Sequence, residues 1–284
     1  MRIEAYAKVN LTLEVFGTRP DGYHALRSVV MPISLADTLE VEATADGSVS
    51  SDTGYGDDLC VKAARVLRAR QPEPGRLGAA IRVTKRIPAG GGLGGGSADA
   101  AATLIALNDI WGTGLARGEL AEVGAEVGSD VPSLVLGHDG GPVLMEGRGE
   151  RAAPLGATGG RALDIVLVNP GVFSSTGEVY SKCGERLPSD GKIVYNMRRA
   201  LEAGDIGGVA AALMNDLLVP AVALHPEIGV AMERMKAAGA EGVMMSGSGS
   251  TVFGLVPSEA RGREIAALME AEGFWARCVR TIVR

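Results

Sequence analysis

Residues 85–102 read K-R-I-P-A-G-G-G-L-G-G-G-S-A-D-A-A-A and hold six glycines in the seven positions 90–96. Glycine tolerates positive φ and lets backbone N–H groups come close to a ligand. The flanks are regular. Ile81, Val83 and Thr84 read as strand, Pro88 stiffens the entry, and Ala98, Ala101, Ala102 and Ile105 fall at i, i+3, i+4 and i+7 of a helix. A helix starting there turns its free N–H groups and the positive end of its dipole toward the loop. A flexible linker has the glycine without the frame; strand, glycine loop and helix together suit a polyphosphate. Walker A is excluded, because no lysine precedes Ser97. The dinucleotide fingerprint G-x-G-x-x-G is matched by Gly90, Gly92 and Gly95, but a run this rich in glycine matches it by chance, and a Lys85-Arg86 pair just before it is unusual for that fold.

Toward the N-terminus, Ile3, Ala5, Ala7, Val9, Leu11, Leu13 and Val15 alternate without a break, which predicts a half-buried strand bent or interrupted midway. Period two sets Tyr6, Lys8 and Asn10 on the other face, which for a lone lysine reads first as solvated. Arg19-Pro20-Asp21-Gly22 is turn chemistry and delivers Tyr23 and His24 onto the next strand. Strands are predicted over 26–35 and 38–44, and Leu59, Ala63, Val66 and Leu67 mark a helix face. Beyond the loop, the helix runs to about Trp111. A second covers roughly 117–127 and ends in Gly128-Ser129-Asp130-Val131-Pro132, where Asp130 by its own segment reads as well for a structural N-cap or turn residue as for a catalytic carboxylate.

A glycine-rich stretch over 137–149 leads to a lobe boundary near residue 155, giving lobes 1–155 and 156–284. The second lobe predicts strand 163–168, helix near 176–186, helices within 190–218, helix 226–238, strands 241–246 and 250–256, helix 258–272 and strand 274–281. That mixture is α+β. Ser246-Gly247-Ser248-Gly249-Ser250-Thr251 joins two of these strands and by itself reads as a hairpin loop.

At 284 residues and 46% hydrophobic content the chain buries a large core, and a net charge of −6 without a basic patch argues against a nucleic-acid partner. Cys60, Cys183 and Cys278 are far apart and odd in number, so neither a disulfide framework nor a Cys-x-x-Cys metal site is indicated, and His24, His138 and His225 lack zinc spacing. No signal-peptide h-region and no apolar run of about 20 residues is present. These features predict a cytoplasmic protein with no membrane partner.

Three motifs occur in order: Ala7-Lys8-Val9-Asn10, the P-x-x-x-G-L-G-x-x-S loop from Pro88 to Ser97, and S-G-S-G-S from Ser246 to Ser250. Over nearly the whole chain this set resembles the small-molecule kinases that include galactokinase, homoserine kinase, mevalonate kinase and phosphomevalonate kinase. A-Y-A-K-V-N-L at 5–11, R-P-D-G-Y-H at 19–24, G-G-L-G-G-G-S-A-D-A-A at 91–101 and G-S-D-V-P at 128–132 are most similar to the members whose acceptor is a cytidine diphosphate-linked methylerythritol. The resemblance implies a two-lobed small-molecule kinase fold, with an N-terminal ATP-binding lobe like domain 2 of ribosomal protein S5 and a C-terminal ferredoxin-like α+β lobe. It implies transfer of the γ-phosphoryl of ATP to the acceptor's 2-hydroxyl, with Mg²⁺, in the non-mevalonate route to isoprenoid precursors.

By the same resemblance Asp130 is the base and Lys8 its partner at the acceptor hydroxyl. Lys85, Pro88, Gly90, Gly91, Gly92, Leu93, Gly94, Gly95, Gly96 and Ser97 belong to the ATP side together with Leu59, and Ser97 is available to phosphate or Mg²⁺. Tyr23 and Tyr180 are the stacking faces for cytosine and His24 its hydrogen-bond partner, while Asn10, Ser246, Gly247, Ser248 and Gly249 lie toward the substrate. The chain departs from the family pattern at Val30, where an aromatic is common, at Ser97-Ala98, where two serines are frequent, and at Ser133-Leu134, where phenylalanine is usual. Two alternatives remain at this stage: a sibling kinase for mevalonate, phosphomevalonate or homoserine, and a non-catalytic nucleotide-binding sensor.

Overall fold

The computed structural model describes residues 1–19, 22–54, 56, 58–156, 158–183 and 191–283; Pro20 and Asp21 of the expected turn, and the far end of the helix expected near 176–186, lie outside them. The chain runs β1 (Arg2–Thr18), β2 (His24–Thr44), β3 (Val49–Ser51), α1 (Leu59–Ala69), a 3₁₀ turn (Pro74–Arg76), β4 (Gly78–Thr84), α2 (Gly95–Ile110), α3 (Arg117–Val127), α4 (Val131–Gly137), β5 (Val143–Gly147) and β6 (Arg151–Pro154). It continues as β7 (Asp164–Asn169), α5 (Thr176–Ser181), α6 (Lys192–Ala203), α7 (Ile206–Ala212), β8 (Met214–Asn215), α8 (Leu218–Leu224), α9 (Pro226–Ala237), β9 (Glu241–Met245), β10 (Val252–Val256), α10 (Glu259–Ala271) and β11 (Trp275–Arg280). Among the described residues no helix is long and apolar enough to cross a membrane.

The first sheet is ordered β3-β4-β2-β1-β8, with β5 also on β2 and β6 on β5. Its spine is β2, a single strand rather than the two expected. Its first half pairs with β5 (Leu26↔Gly147 to Val30↔Val143), its second half with β4 (Thr38↔Thr84 to Thr44↔Gly78), and β1 runs antiparallel along both. The expected bend in β1 is present as register shifts between Tyr6 and Lys8 and between Asn10 and Thr12. Such shifts turn a strand and re-aim its side chains. They carry β1 from one core, shared by Val9 and Leu11, into another, shared by Leu13 and Val15. The opposite face of β1 is not solvated as the lone-lysine reading had it: Lys8, Asn10, Thr12 and Glu14 are all buried.

The second sheet is ordered β11-β7-β10-β9 and antiparallel throughout. Among the four strands of this sheet, in chain order, that is the fourth, first, third and second strand, the ferredoxin-like arrangement. Strand β7 is apolar on every residue from Ile165 to Val168 because both its faces are covered. Ile165 and Leu167 share a core with β1, α2 and α6, while Val166 and Val168 pack with α9 and α10. Two short elements of this lobe were not foreseen, helix α8 and strand β8. Met214–Asn215, read as helical, pairs in parallel with Thr12 and Leu13 of β1, so the later chain supplies an edge strand to the first sheet.

Helix α2 also differs from its sequence pattern. One apolar stripe was predicted, yet every residue from Ala98 to Leu107 is buried. Its alanines let α1, α3, α4, β1 and β2 close around it, so the helix that follows the glycine loop is a rigid axle rather than a surface helix. Leu104→Ala leaves a hole in that axle with no neighbour free to fill it; urea denaturation should show a loss of about 2–5 kcal/mol.

Candidate active site

The glycine loop, the N-terminus of α2, β1, the start of β2, the α3–α4 turn and the β9–β10 loop line one cleft of 1150 Å³. Of the residues given a catalytic, ATP or substrate role by the resemblance, all line it except Leu93 and Ser246. Leu93 is 1% exposed and its carbonyl accepts from Lys8 N at 3.1 Å, so it fastens the loop to β1 and faces the core. Ser246 is fully buried, and its hydroxyl donates to the Gly92 carbonyl at 3.0 Å and accepts from Asn10 N at 3.4 Å. Its side chain therefore braces the loop and is not offered to a ligand.

Local chemistry fixes the loop. Gly90, Gly92 and Gly94 have φ of 65°, 74° and 73°, a region closed to most L-residues. Close approach also matters at Gly92, where a Cβ would sit 2.1 Å from the Ser246 carbonyl oxygen. At Gly94, the N-cap of α2, it would sit 3.2 Å from Lys8 Cε. The six-residue β9–β10 loop is tied to the same structure: Thr251 N donates to the Gly91 carbonyl at 3.1 Å, and Asn169 Nδ2 reaches Thr251 Oγ1 at 2.9 Å.

Lys8 lies under this junction. Its side chain is 4% exposed, and its ammonium donates to Asn10 Oδ1 at 2.6 Å and the Gly92 carbonyl at 3.0 Å, with Asp130 Oδ2 3.7 Å away. Asn10 is held in turn: its Nδ2 donates to Ser28 Oγ at 2.8 Å, and that hydroxyl donates to the Thr12 carbonyl at 2.6 Å, which leaves Oδ1 for Lys8. Burial lowers the Lys8 pKa from the ordinary lysine range, and Asp130 works against that shift. Asp130 occupies the N-cap position of α4 but makes no side-chain capping bond. The turn reading is thus right about its backbone, while the carboxylate is directed to the cleft and Lys8. Ser133, one of the departures from the family pattern, donates to the Asp130 carbonyl at 2.8 Å and steadies this turn.

At the other end of the cleft the rings of His24 and Tyr180 lie 5.5 Å apart, tilted at 43°. Burial, with Asp130 nearby, pushes the Tyr180 phenol above its ordinary range, so it stays neutral. Tyr23 is 53% exposed on the rim, with the Arg148 guanidinium 5.1 Å above its ring. Arg148 was not foreseen, nor was Phe173, whose ring lies against Gly90 with 72% of its surface exposed. Neither has a signal in its own segment. Val30 is 2% exposed in the core beside Leu26 and does not line the cleft.

At the α1 side of the cleft Asp58 N-caps α1, accepting from Cys60 N at 2.8 Å, and lines the cleft next to Leu59. The Lys85 ammonium is paired with Asp37 at 2.5 Å and Asp99 at 2.6 Å. Burial disfavours its charge, but Asp99 and Asp37 outweigh burial and hold it above the ordinary lysine range. Burial pushes the Asp99 carboxyl up to about 7 against the pull of Lys85.

The chain is similar to known proteins over its whole length. Residues 58–138 match the GHMP kinases N terminal domain and residues 197–273 the GHMP kinases C terminal domain. The 4-diphosphocytidyl-2-C-methyl-D-erythritol kinase of Symbiobacterium thermophilum is 42% identical, with both chains covered completely. That of Pelotomaculum thermopropionicum is 43% identical over 93% of this chain and 91% of its own. A solved 4-(cytidine 5'-diphospho)-2C-methyl-D-erythritol kinase superposes with a TM-score of 0.81 at 35% identity, covering 99% of each chain. A mevalonate kinase structure superposes with a TM-score of 0.72 at 16% identity over all of both chains, which is a likeness of fold.

Adding a methyl at Gly92 tests how far the cleft depends on loop contact. Gly92→Ala combines a left-handed conformation, costing about 1–2 kcal/mol, with a backbone clash at Ser246, so its thermal midpoint should fall in a calorimetric melt.

Proposed function

This chain belongs to the GHMP kinases, in the branch of the 4-diphosphocytidyl-2-C-methyl-D-erythritol kinases, and is an enzyme that phosphorylates a small-molecule alcohol; on that premise we propose that ATP donates its γ-phosphoryl to the 2-hydroxyl of 4-diphosphocytidyl-2-C-methyl-D-erythritol, with Asp130 as base and Lys8 as its partner. The acceptor oxygen attacks the γ-phosphorus, the bond to the β–γ bridging oxygen breaks, ADP leaves, and the hydroxyl proton passes to Asp130. A phosphoryl transition state is loose and demands little early proton removal, so placement and charge count for more than basicity. The observation that carries this reading is an N-cap aspartate with no capping bond, 3.7 Å from a buried lysine that also holds the glycine loop.

Each further group has a stated task. The α2 N-terminus and loop N–H groups would receive the ATP phosphates, with Leu59 and the backbone of residues 85–88 toward the adenine and the Lys85 side chain reaching the phosphate end over the first turn of α2. Mg²⁺ is a hard cation that binds through phosphates, waters and one or two protein oxygens. Among the described residues there is no cluster of three His, Cys, Asp or Glu to cage an ion, and the half-buried Ser97 hydroxyl in the first turn of α2 fits that sparse requirement. When bound, the ion supplies charge neutralisation at the phosphates. The Tyr23, His24 and Tyr180 group would hold cytosine, stacking on an aromatic being worth about 1–3 kcal/mol per base. A mevalonate, phosphomevalonate or homoserine kinase would have no base for these rings, and a sensor would have no need of Asp130. We divide the labour at residue 155, ATP before it and acceptor after it, with β1 and the start of β2 lent to the acceptor.

ADP release measured with the cytidyl substrate, mevalonate and homoserine in parallel should respond to the first alone; no release with it sinks the assignment. Asp130→Asn should lower kcat by about 10²–10⁴ if the carboxylate takes the proton, while an unchanged kcat would return Asp130 to a structural turn.

A further inference from the structure

Lys85 and Asp99 stand on either side of the glycine loop in sequence and meet in space, and the ion pair between them is completed by Asp37 from the middle of β2. Asp37 is fully buried, and its second oxygen accepts from Arg86 N and, at 2.9 Å, from Ile87 N. One carboxylate therefore fixes both the lysine side chain and the backbone that leads into the loop. Asp99 lies in the second turn of the enclosed helix α2 and is 4% exposed. The Lys85 side chain keeps 29% of its surface, lines the cleft, and carries its Nζ to 3.5 Å from where a Cβ on Gly95 would stand, at the first turn of α2.

An ammonium has three N–H donors. Two are taken by the carboxylates, which leaves one for a ligand in the cleft that Lys85 lines. A free lysine is a flexible point charge, and fixing its direction before a ligand arrives removes an ordering cost from binding. We propose that Asp37 and Asp99 are positioning residues for nucleotide binding: they clamp the Lys85 ammonium over the first turn of α2 and present its remaining N–H to a phosphate oxygen. This rests on the reading that the glycine-loop half of the cleft takes ATP. The competing role is a plain staple joining β2, the end of β4 and α2, which would govern stability and leave affinity alone.

Equilibrium binding of MgATP by calorimetry, with thermal melts on every variant, separates the two. Asp99→Ala should weaken MgATP about tenfold and move the acceptor KM less than about twofold, and Asp99→Asn, whose amide oxygen still accepts from Lys85, should recover to within about threefold of the parent. On a Lys85→Met background Asp99→Ala should produce no further loss, because the aspartate acts through that lysine. Should Asp99→Ala not fold, Asp99→Ser, too short to reach Lys85, carries the same expectation. Parent-like MgATP affinity in Asp99→Ala, or an equal loss with and without Lys85, overturns the clamp. A parent protein that binds no MgATP overturns the ATP reading, and the clamp with it.

Discussion

An ammonium removed from water governs the geometry of this protein. Taking a lysine head into the interior costs several kcal/mol unless hydrogen bonds and an opposite charge replace its hydration. At Lys8 the replacements come from three separate parts of the chain: Asn10 two residues along β1, the Gly92 carbonyl in the loop, and Asp130 at the head of α4. None of these can move away without exposing or stranding the charge. The path of β1, the seating of the glycine loop and the position of the α3–α4 turn are thus tied to one another through a single side chain.

The glycines of the loop serve that constraint. At Gly92 a side chain would collide with the Ser246 carbonyl, and at Gly94 it would crowd the Lys8 stem, so glycine lets the loop lie flat on its support. The β9–β10 loop reaches it from the other sheet through Thr251 N to Gly91 O and Ser246 Oγ to Gly92 O. Loops from the two lobes form one hydrogen-bonded wall between the two ends of the cleft. A kinase benefits from such a wall, because a phosphoryl group in transit tolerates little misplacement.

Much of this was legible in the sequence. The framing of residues 90–96 by β4 and α2, the α3 span, and the elements β7, α9, β9, β10, α10 and β11 all follow from local periodicity, and the structure carries those last six within two residues of the expected bounds. The elements misread are those whose state is decided by a distant partner. Met214–Asn215 is a strand only because Thr12 and Leu13 offer an edge, and β2 stays one strand because β4 and β5 take successive halves of it. The polar face of β1 looked solvated because period two reports which residues share a face and not what covers that face. Asp37 carried no signal at all: a lone aspartate in a strand is indistinguishable in sequence from any other until its partners, 48 and 49 residues on, are folded against it.

By itself the sequence determined the loop, its helix and the residue types gathered for chemistry, because glycine content, apolar spacing and motif order are local properties of the chain. Only the tertiary structure decided what each of those residues can do. It turned Ser246 inward to brace Gly92, released the Asp130 side chain from capping and set it against Lys8, and closed Asp37 and Asp99 around Lys85. Those outcomes depend on which hydrogen-bond partners remain once water has been excluded, and that is settled only when remote segments pack together.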